Sequence, residues 1–211
     1  MKRTFFLLLL SIAFGMTCPL GAQTAQQVLD KTATLLKSSG GLQADFEATT
    51  FKKLSPVGTA KGTISVEGSK FMISSNQALM WFDGRTQWSL LKSSDEVNVT
   101  SPTPEEIQQI NPYTFINLYK NGYNLSLKKT TYQGKSCYEV HLIARNRDND
   151  INEMRITIDK ASYLPLSVRI RQDENWTRIR VANLKTGKHW ADSFFRFNHK
   201  DYPDVQIIDL R

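Results

Sequence analysis

The alternation of apolar and polar residues over many short segments is the feature that most constrains the fold of this chain. A period of two places every second side chain on the same face of a β-strand. Together with the turn residues between them, these segments predict about ten to twelve strands, without the regular alternation of strand and helix that a parallel sheet requires. The clearest examples are residues 42–49, 62–66, 124–128, 137–143, 153–159 and 165–172.

We therefore predict a mainly β protein built on one strongly curved antiparallel sheet. An open sheet with this many strands curls or closes, so the expected form is an incomplete barrel. Capping boxes at Thr24 and Thr103 mark two helix starts, and Asn111-Pro112 restarts a third helix. The helix after Thr24 and the two helices within residues 104–120 are predicted to form a lid of about three short helices over an apolar cavity.

The segment 78–91 is predicted to be a β-hairpin that is apolar on both faces. Its Asp-Gly pair suits a tight turn, which places Trp81 opposite Trp88 on one face. Met80 and Phe82 then point to the other face. An antiparallel strand with one solvated face would be polar on that side, so we expect one of the two apolar faces to line the cavity.

Residues 1–22 read as a secretory signal peptide. A basic start is followed by an apolar run over residues 5–14, which is shorter than the roughly 20 residues that span a bilayer. Cys18 lacks the preceding residues typical of a lipidation signal. We expect residues 23–211 to form a single soluble domain in the periplasm.

The net charge of +7 is spread along the chain rather than concentrated in one block. Arg169, Arg171, Arg178 and Arg180 stand two apart on predicted strands and therefore share a face. This stripe is expected to be solvated, or else to meet an anionic headgroup or partner. We expect no nucleic acid partner, because the chain carries no motif for one.

Catalytic and metal-binding patterns are weak. Cys137 and His141 alternate with Glu139 on one predicted strand face, which we expect to be solvated, but they are too far apart along a strand to form a reactive pair. The loop at 147–153 resembles the start of a calcium loop yet lacks its glycine and its glutamate. We expect no cofactor, no metal and no enzymatic activity.

The order of elements resembles the family of outer-membrane lipoprotein carriers, the LolA-type periplasmic chaperones. The resemblance rests on the capped helix followed by GGLQADFEATTF, GTISVEGSKFMI, the WFDGRTQW hairpin and the closing FFRFNHKDYPDV. It covers residues 23–211. It implies a curved sheet with a helical lid over an apolar cavity.

The resemblance also implies a function and its partners. Family members take acylated lipoproteins from an inner-membrane lipoprotein-releasing transporter and pass them to an outer-membrane acceptor, and we expect the chain to be a monomer. A sensing module that binds lipids or lipoproteins on the same fold remains the alternative. The residues expected to contact an acyl chain are Phe46, Ile64, Val66, Met72, Met80, Phe82, Phe115 and Leu118.

Two positions depart from the family pattern. Gly68 stands where members usually carry an arginine that ties the lid loops shut, and Met72 stands where members carry an aromatic residue. Either the lid is fastened differently here, or this chain handles another ligand.

Overall fold

The structure is a computed structural model that describes residues 23–103, 106–107, 118–146 and 148–211. Within these ranges one α-helix is complete, α1 (Ala25–Ser38). Two short 3-10 turns lie at Asp192–Phe195 and His199–Asp201. No helix among the described residues is long and apolar enough to cross a membrane.

Twelve strands form a single sheet that does not close into a barrel. They are β1 (Gly41–Lys52), β2 (Ser55–Glu67), β3 (Lys70–Ser75), β4 (Ala78–Phe82), β5 (Gln87–Leu91), β6 (Glu96–Thr100), β7 (Tyr123–Tyr132), β8 (Lys135–Ala144), β9 (Glu153–Asp159), β10 (Pro165–Gln172), β11 (Asn175–Lys188) and β12 (Gln206–Asp209).

The strand order in the sheet is β12-β6-β5-β4-β3-β2-β1-β11-β10-β9-β8-β7. The predicted β class and the single large sheet are confirmed. The sheet is antiparallel throughout except at one edge, where β12 pairs with β6 in parallel. Five strands separate β6 from β12 in the chain, so β12 can lie parallel or antiparallel to β6. The sequence of so short a strand does not specify its direction.

The sheet bends around α1. Ala25, Val28 and Leu29 of the helix share a buried cluster with Val140 and Leu142 on β8. Ala33 and Leu36 share another cluster with Phe82 on β4. In a flat sheet the strands β4 and β8 would lie about 34 Å apart, which is more than the length of about 21 Å of a helix of 14 residues. The sheet must therefore curve for one helix to contact both strands. We call the side that carries α1 the inner face and the other side the outer face.

The predicted lid of three helices stays a prediction. The capping box at its second start is present, because Glu106 accepts a hydrogen bond from the backbone N–H of Thr103 at 2.7 Å and the Thr103 hydroxyl accepts one from Glu106 at 3.3 Å. Ile107 packs against the α1–β4 cluster and Leu118 against the α1–β8 cluster. Residues 104–105 and 108–117, which include Phe115, lie outside the described residues.

Candidate functional site

The inner face of the sheet is largely apolar from β7 to β4, whereas β5 and β6 carry the polar side chains Gln87, Ser89 and Asn98 there. Its two buried clusters meet the two halves of α1, one on strands β7–β10 and one on strands β1–β4. Between and beside them, half-buried apolar side chains continue the surface. We call this set the apolar strip: Phe46, Ile64, Ile73, Met80, Ile179 and Val181.

Strand register places the members of the apolar strip on the same face. Phe46 lies directly opposite Val181 on β11. Ile73 lies opposite Ile64 on one side and Met80 on the other. Because directly opposed residues point to the same face of an antiparallel sheet, the strip forms a continuous apolar surface beside α1.

Five of the predicted contact residues lie on this inner face. Val66 and Phe82 are buried in the α1–β4 cluster, and Ile64 and Met80 pack against it. Phe46 lies on the same face through its pairing with Val181. Whether any of them contacts an acyl chain stays a prediction, and so does the role of Leu118, which packs beside the N-terminal half of α1.

The prediction that Met72 faces inward is wrong. Met72 lies opposite Trp81 and packs with the outer cluster of Leu79, Trp81, Leu90 and Val97. The turn between Glu67 and Lys70 fixes this register, because it pairs Val66 with Phe71. Phe71 and Ile73 therefore share the inner face with Val66. Counting outward from that turn would have selected Ile73 from the sequence.

Strand β4 of the hairpin at 78–91 is apolar on both faces because apolar side chains pack against each of them. On β5 the inner residues opposite Met80 and Phe82 are Ser89 and Gln87. Trp81 lies opposite Trp88, as predicted. On the outer side, residues of the C-terminal segment (190–211) pack against them: the Trp81 ring meets Phe197 and Tyr202 edge-on, at 5.6 and 5.7 Å between centroids. The apolar alternation of β4 indicates an inner apolar surface, but no pattern within the hairpin predicts this second layer.

The helix α1 and Gln23, just before its N-cap, make polar contacts with two tyrosines in the segments that adjoin strands β7 and β10. The Thr32 hydroxyl donates to the carbonyl oxygen of Tyr163 at 3.0 Å, and the side-chain amide of Gln23 hydrogen-bonds the Tyr163 hydroxyl at 3.0 Å. On the other side, the Tyr119 hydroxyl donates to Asp30 Oδ1 at 2.6 Å. Burial, with this carboxylate beside it, raises the pKa of Tyr119 well above its usual range.

Gly68 takes no part in this fastening. It lies in the turn between β2 and β3 with φ +61°, and a Cβ there would have no neighbour within 4 Å. An L-residue at such a φ is strained, so an arginine at this position would carry a backbone penalty. The contacts of Gln23, Thr32 and Asp30 supply the attachment of α1 instead.

Titratable groups of the outer face form structural pairs. His141 Nε2 lies 2.7 Å from Glu153 Oε1, and Arg155 donates to the same carboxylate at 2.9 Å. Cys137 is buried beneath the turn after β9 rather than solvated as expected, and burial raises the pKa of its thiol. A thiol held neutral in this way is a poor nucleophile. The described residues contain no cluster of side chains suited to a metal ion.

Comparison with known proteins agrees with this architecture. An uncharacterized protein of Methanocaldococcus jannaschii is 25% identical over 132 residues, which cover 61% of this chain and 38% of that protein. The chain thus spans well under half the length of that relative. A crystal structure of an uncharacterized conserved protein from Thermus thermophilus superposes with a TM-score of 0.58 and 12% identity, covering 89% of this chain and 99% of the other.

A LolA superfamily protein from Nitrosomonas europaea gives a TM-score of 0.45 and 11% identity, covering 83% of this chain and 99% of its own. The sequence profile of one family, described as outer membrane lipoprotein carrier protein LolA, matches residues 16–174. A half-open sheet with a helix across an apolar inner face is the architecture that this chain presents. The chain belongs to the LolA family of outer membrane lipoprotein carrier proteins.

Proposed function

We propose that this protein is a periplasmic carrier that binds the acyl chains of lipoproteins on its inner face and moves them toward the outer membrane. The observation that carries the proposal is the apolar strip, six side chains that share one face and remain only half-buried beside α1. Family membership supplies the ligand class. No chemical step is required, and we propose that the protein is not an enzyme.

The energetics of such a carrier favour capture and require help with release. Burying one methylene is worth about 0.8 kcal/mol, so a single long acyl chain offers on the order of 10 kcal/mol. A covering helix that must be displaced to admit the ligand offsets part of that gain. Met80 in the strip suits acyl chains of different lengths, because an unbranched thioether adapts its shape at little cost.

A second candidate is a module that senses lipids or lipoproteins and reports to a protein partner. The observation that favours it is Gly68, which cannot provide the lid fastening expected of a carrier in this family. A carrier yields its ligand to an acceptor, whereas a sensor keeps a stable partner.

Photocrosslinking from the two faces of one hairpin tests the site. A photoreactive residue at Met80 should crosslink to a bound acyl chain, and one at Trp88 should not. Both side chains are half-buried on adjacent strands, yet they lie on opposite faces. Mass spectrometry of protein recovered from the envelope then identifies the adduct. Lipoprotein crosslinked at position 80 supports the carrier. A free lipid or a constant protein partner crosslinked there supports the sensor. Acyl adducts found at position 88 alone would refute the inner-face site.

A further inference from the structure

The turn between β1 and β2 presents an apolar side chain to solvent in an unusual backbone conformation. Lys52 pairs with Ser55, so Lys53 and Leu54 form a two-residue turn with φ values of 47° and 70°. Turns of this kind favour Asn and Gly, because a larger side chain is strained at positive φ. Leu54 is nevertheless 87% exposed. Nothing in the fold among the described residues accounts for a leucine there.

The same hairpin extends past β3 on one side, and on the other side it ends level with the turn between β10 and β11, because β1 pairs with β11 as far as Lys52. β2 pairs with β3 only from Gly62 onward, so β1 is the one strand that pairs with the first half of β2 among the described residues. All residues from Lys52 to Thr59 are exposed. Val57 is the extra residue of a bulge in β2 and is 62% exposed. The tip of the hairpin therefore carries two exposed apolar side chains beside two lysines.

A row of arginines begins on the outer face next to this hairpin. Arg155, Arg169 and Arg178 lie directly opposite one another on β9, β10 and β11, and Arg178 lies opposite Thr49 on β1. The sequence-based prediction that the arginines of β10 and β11 share a face is confirmed. Thr49 is about 13 Å along β1 from the turn, at roughly 3.3 Å per residue.

Two of these arginines stack on aromatic rings instead of pairing with carboxylates. The guanidinium of Arg169 lies 5.3 Å from the Trp176 ring centroid, and that of Arg178 lies 5.1 Å from the Phe51 ring centroid. Phe51 and Trp176 are themselves paired across β1 and β11. Nε of Arg178 is buried and has no hydrogen-bond partner among the described residues.

The charge around the row is mostly positive but not uniformly so. Glu153 neutralises Arg155 at 2.9 Å, whereas no carboxylate of the described residues lies within ion-pair distance of Arg169 or Arg178. The turn between β10 and β11 carries Asp173 and Glu174, both exposed. Lys52 and Lys53 lie in the neighbouring hairpin, where Lys52 pairs with Asn175. The two lysines and the two acids sum to zero charge, so the uncompensated charge is that of Arg169 and Arg178.

We propose that this end of the sheet docks on an anionic phospholipid surface. Leu54 and Val57 enter the headgroup region, and Trp176 lies at the level that tryptophan prefers at a membrane interface. Arg169 and Arg178 meet phosphate groups, for which planar guanidinium groups are suited. The site is on the outer face, so the inference does not depend on acyl binding at the inner face.

Vesicle flotation of protein expressed from the full-length sequence and recovered from the envelope tests the proposal. We expect binding to vesicles of phosphatidylglycerol and phosphatidylethanolamine, weaker binding as salt is raised, and little binding to phosphatidylcholine alone. Leu54→Asn should weaken binding about tenfold through loss of the apolar contact. Asn tolerates positive φ, so this variant should be at least as stable as the parent, and misfolding cannot explain the loss. Leu210→Asn, at a leucine that is 62% exposed on another part of the surface, is the control.

A second pair of variants tests the charges. Arg169→Gln combined with Arg178→Gln should weaken vesicle binding by more than tenfold, since each basic residue near an anionic surface is worth about fivefold. Arg85→Gln combined with Lys129→Gln removes the same charge from exposed positions elsewhere and should leave binding within about twofold. The proposal is overturned if the parent does not float with anionic vesicles, if phosphatidylcholine binds equally well, or if test and control variants behave alike. It is also overturned if a crosslinker at residue 54 captures a polypeptide while vesicle binding is absent.

Discussion

At the scale of single residues, Gly62 shows how closely two strands of this sheet approach. A Cβ at Gly62 would lie 1.9 Å from the carbonyl oxygen of Ser74 and 2.6 Å from Cα of Ser75. Gly58, four residues earlier on the same strand, has nothing within 4 Å of the corresponding position. A substitution at Gly58 can therefore serve as the control for the same substitution at Gly62.

We expect Gly62→Ala to lower the free energy of unfolding by about 1–3 kcal/mol, because a backbone atom cannot move aside as a flexible side chain can. Gly58→Ala should leave it unchanged or raise it slightly through a smaller loss of chain entropy. Urea unfolding of both variants measures the difference. Equal stabilities would show that β2 and β3 separate there without penalty.

Glu153 ties the stability of the outer face to pH. Burial alone would raise the pKa of Glu153, but hydrogen bonds from Arg155 and His141 outweigh it and hold the pKa below the usual value. A folded-state pKa below the unfolded one stabilises the fold above the unfolded pKa, and that stabilisation is lost as pH falls through the folded value.

Glu153→Gln should therefore be destabilised at pH 7 and approach the parent in stability below about pH 4, where the unfolded carboxyl is protonated. Thermal unfolding across pH measures this convergence. Glu174→Gln, in an exposed turn, serves as the control and should follow the parent curve. A constant gap between Glu153→Gln and the parent at all pH values would contradict the assignment.

At the scale of elements, the proposed function predicts that the attachment of α1 controls how readily a ligand leaves the inner face. Tyr163→Phe removes the hydroxyl that hydrogen-bonds Gln23, while the hydrogen bond from Thr32 to its carbonyl remains. One such bond is worth about 1 kcal/mol, so a fluorescent fatty acid bound at the inner face should leave about fivefold faster. Stopped-flow displacement measures the release rate.

The control for this prediction is Tyr132→Phe, at a half-buried tyrosine at the end of β7. Its release rate should match that of the parent. If Tyr163→Phe also matched the parent, α1 would not be the element that holds the ligand in place.

Some of these elements could be predicted from the sequence and others could not. The alternation in β8 and β9 and the capping box at Thr24 are local signals, and the structure contains both. The Trp81–Trp88 pair followed from the turn between β4 and β5 alone. The inward position predicted for Met72 is wrong because the turn between β2 and β3, which pairs Val66 with Phe71, fixes the parity of β3 and the family pattern does not. The contact of Tyr163 with Thr32 joins distant parts of the chain, and no local pattern signals it.

At the scale of the whole molecule, the C-terminal segment forms a second layer over the outer face. Phe197 contacts Trp81 at 5.6 Å and stacks on Tyr202 at 5.6 Å between centroids. Lys70 reaches across to Asp192 at 2.6 Å, and Arg196 to Asp83 at 3.0 Å. The closing aromatic motif of this segment contributes to the family resemblance, but the sequence does not predict what it packs against, because its partners on β4 lie far away along the chain.

We expect Phe197→Ala to lower the free energy of unfolding by about 2–3 kcal/mol, since it removes a half-buried ring from this layer. Tryptophan fluorescence should shift to the red as Trp81 gains water. Ile207→Ala, at a side chain that is 48% exposed on β12, should change both quantities little. An unshifted spectrum would show that Trp81 is shielded without Phe197.

The parallel pairing of β12 with β6 sets an order on folding. β6 pairs with β12, and five other strands separate the two in the chain. Pairings between such remote segments form late in folding. Until then β6 has an unpaired edge, and Trp81 and Leu90 on the outer face lack their cover. An open edge beside exposed apolar side chains is prone to pair with another chain. The incompletely folded polypeptide, rather than the finished protein, is thus the species that depends on a chaperone or on low concentration to avoid aggregation.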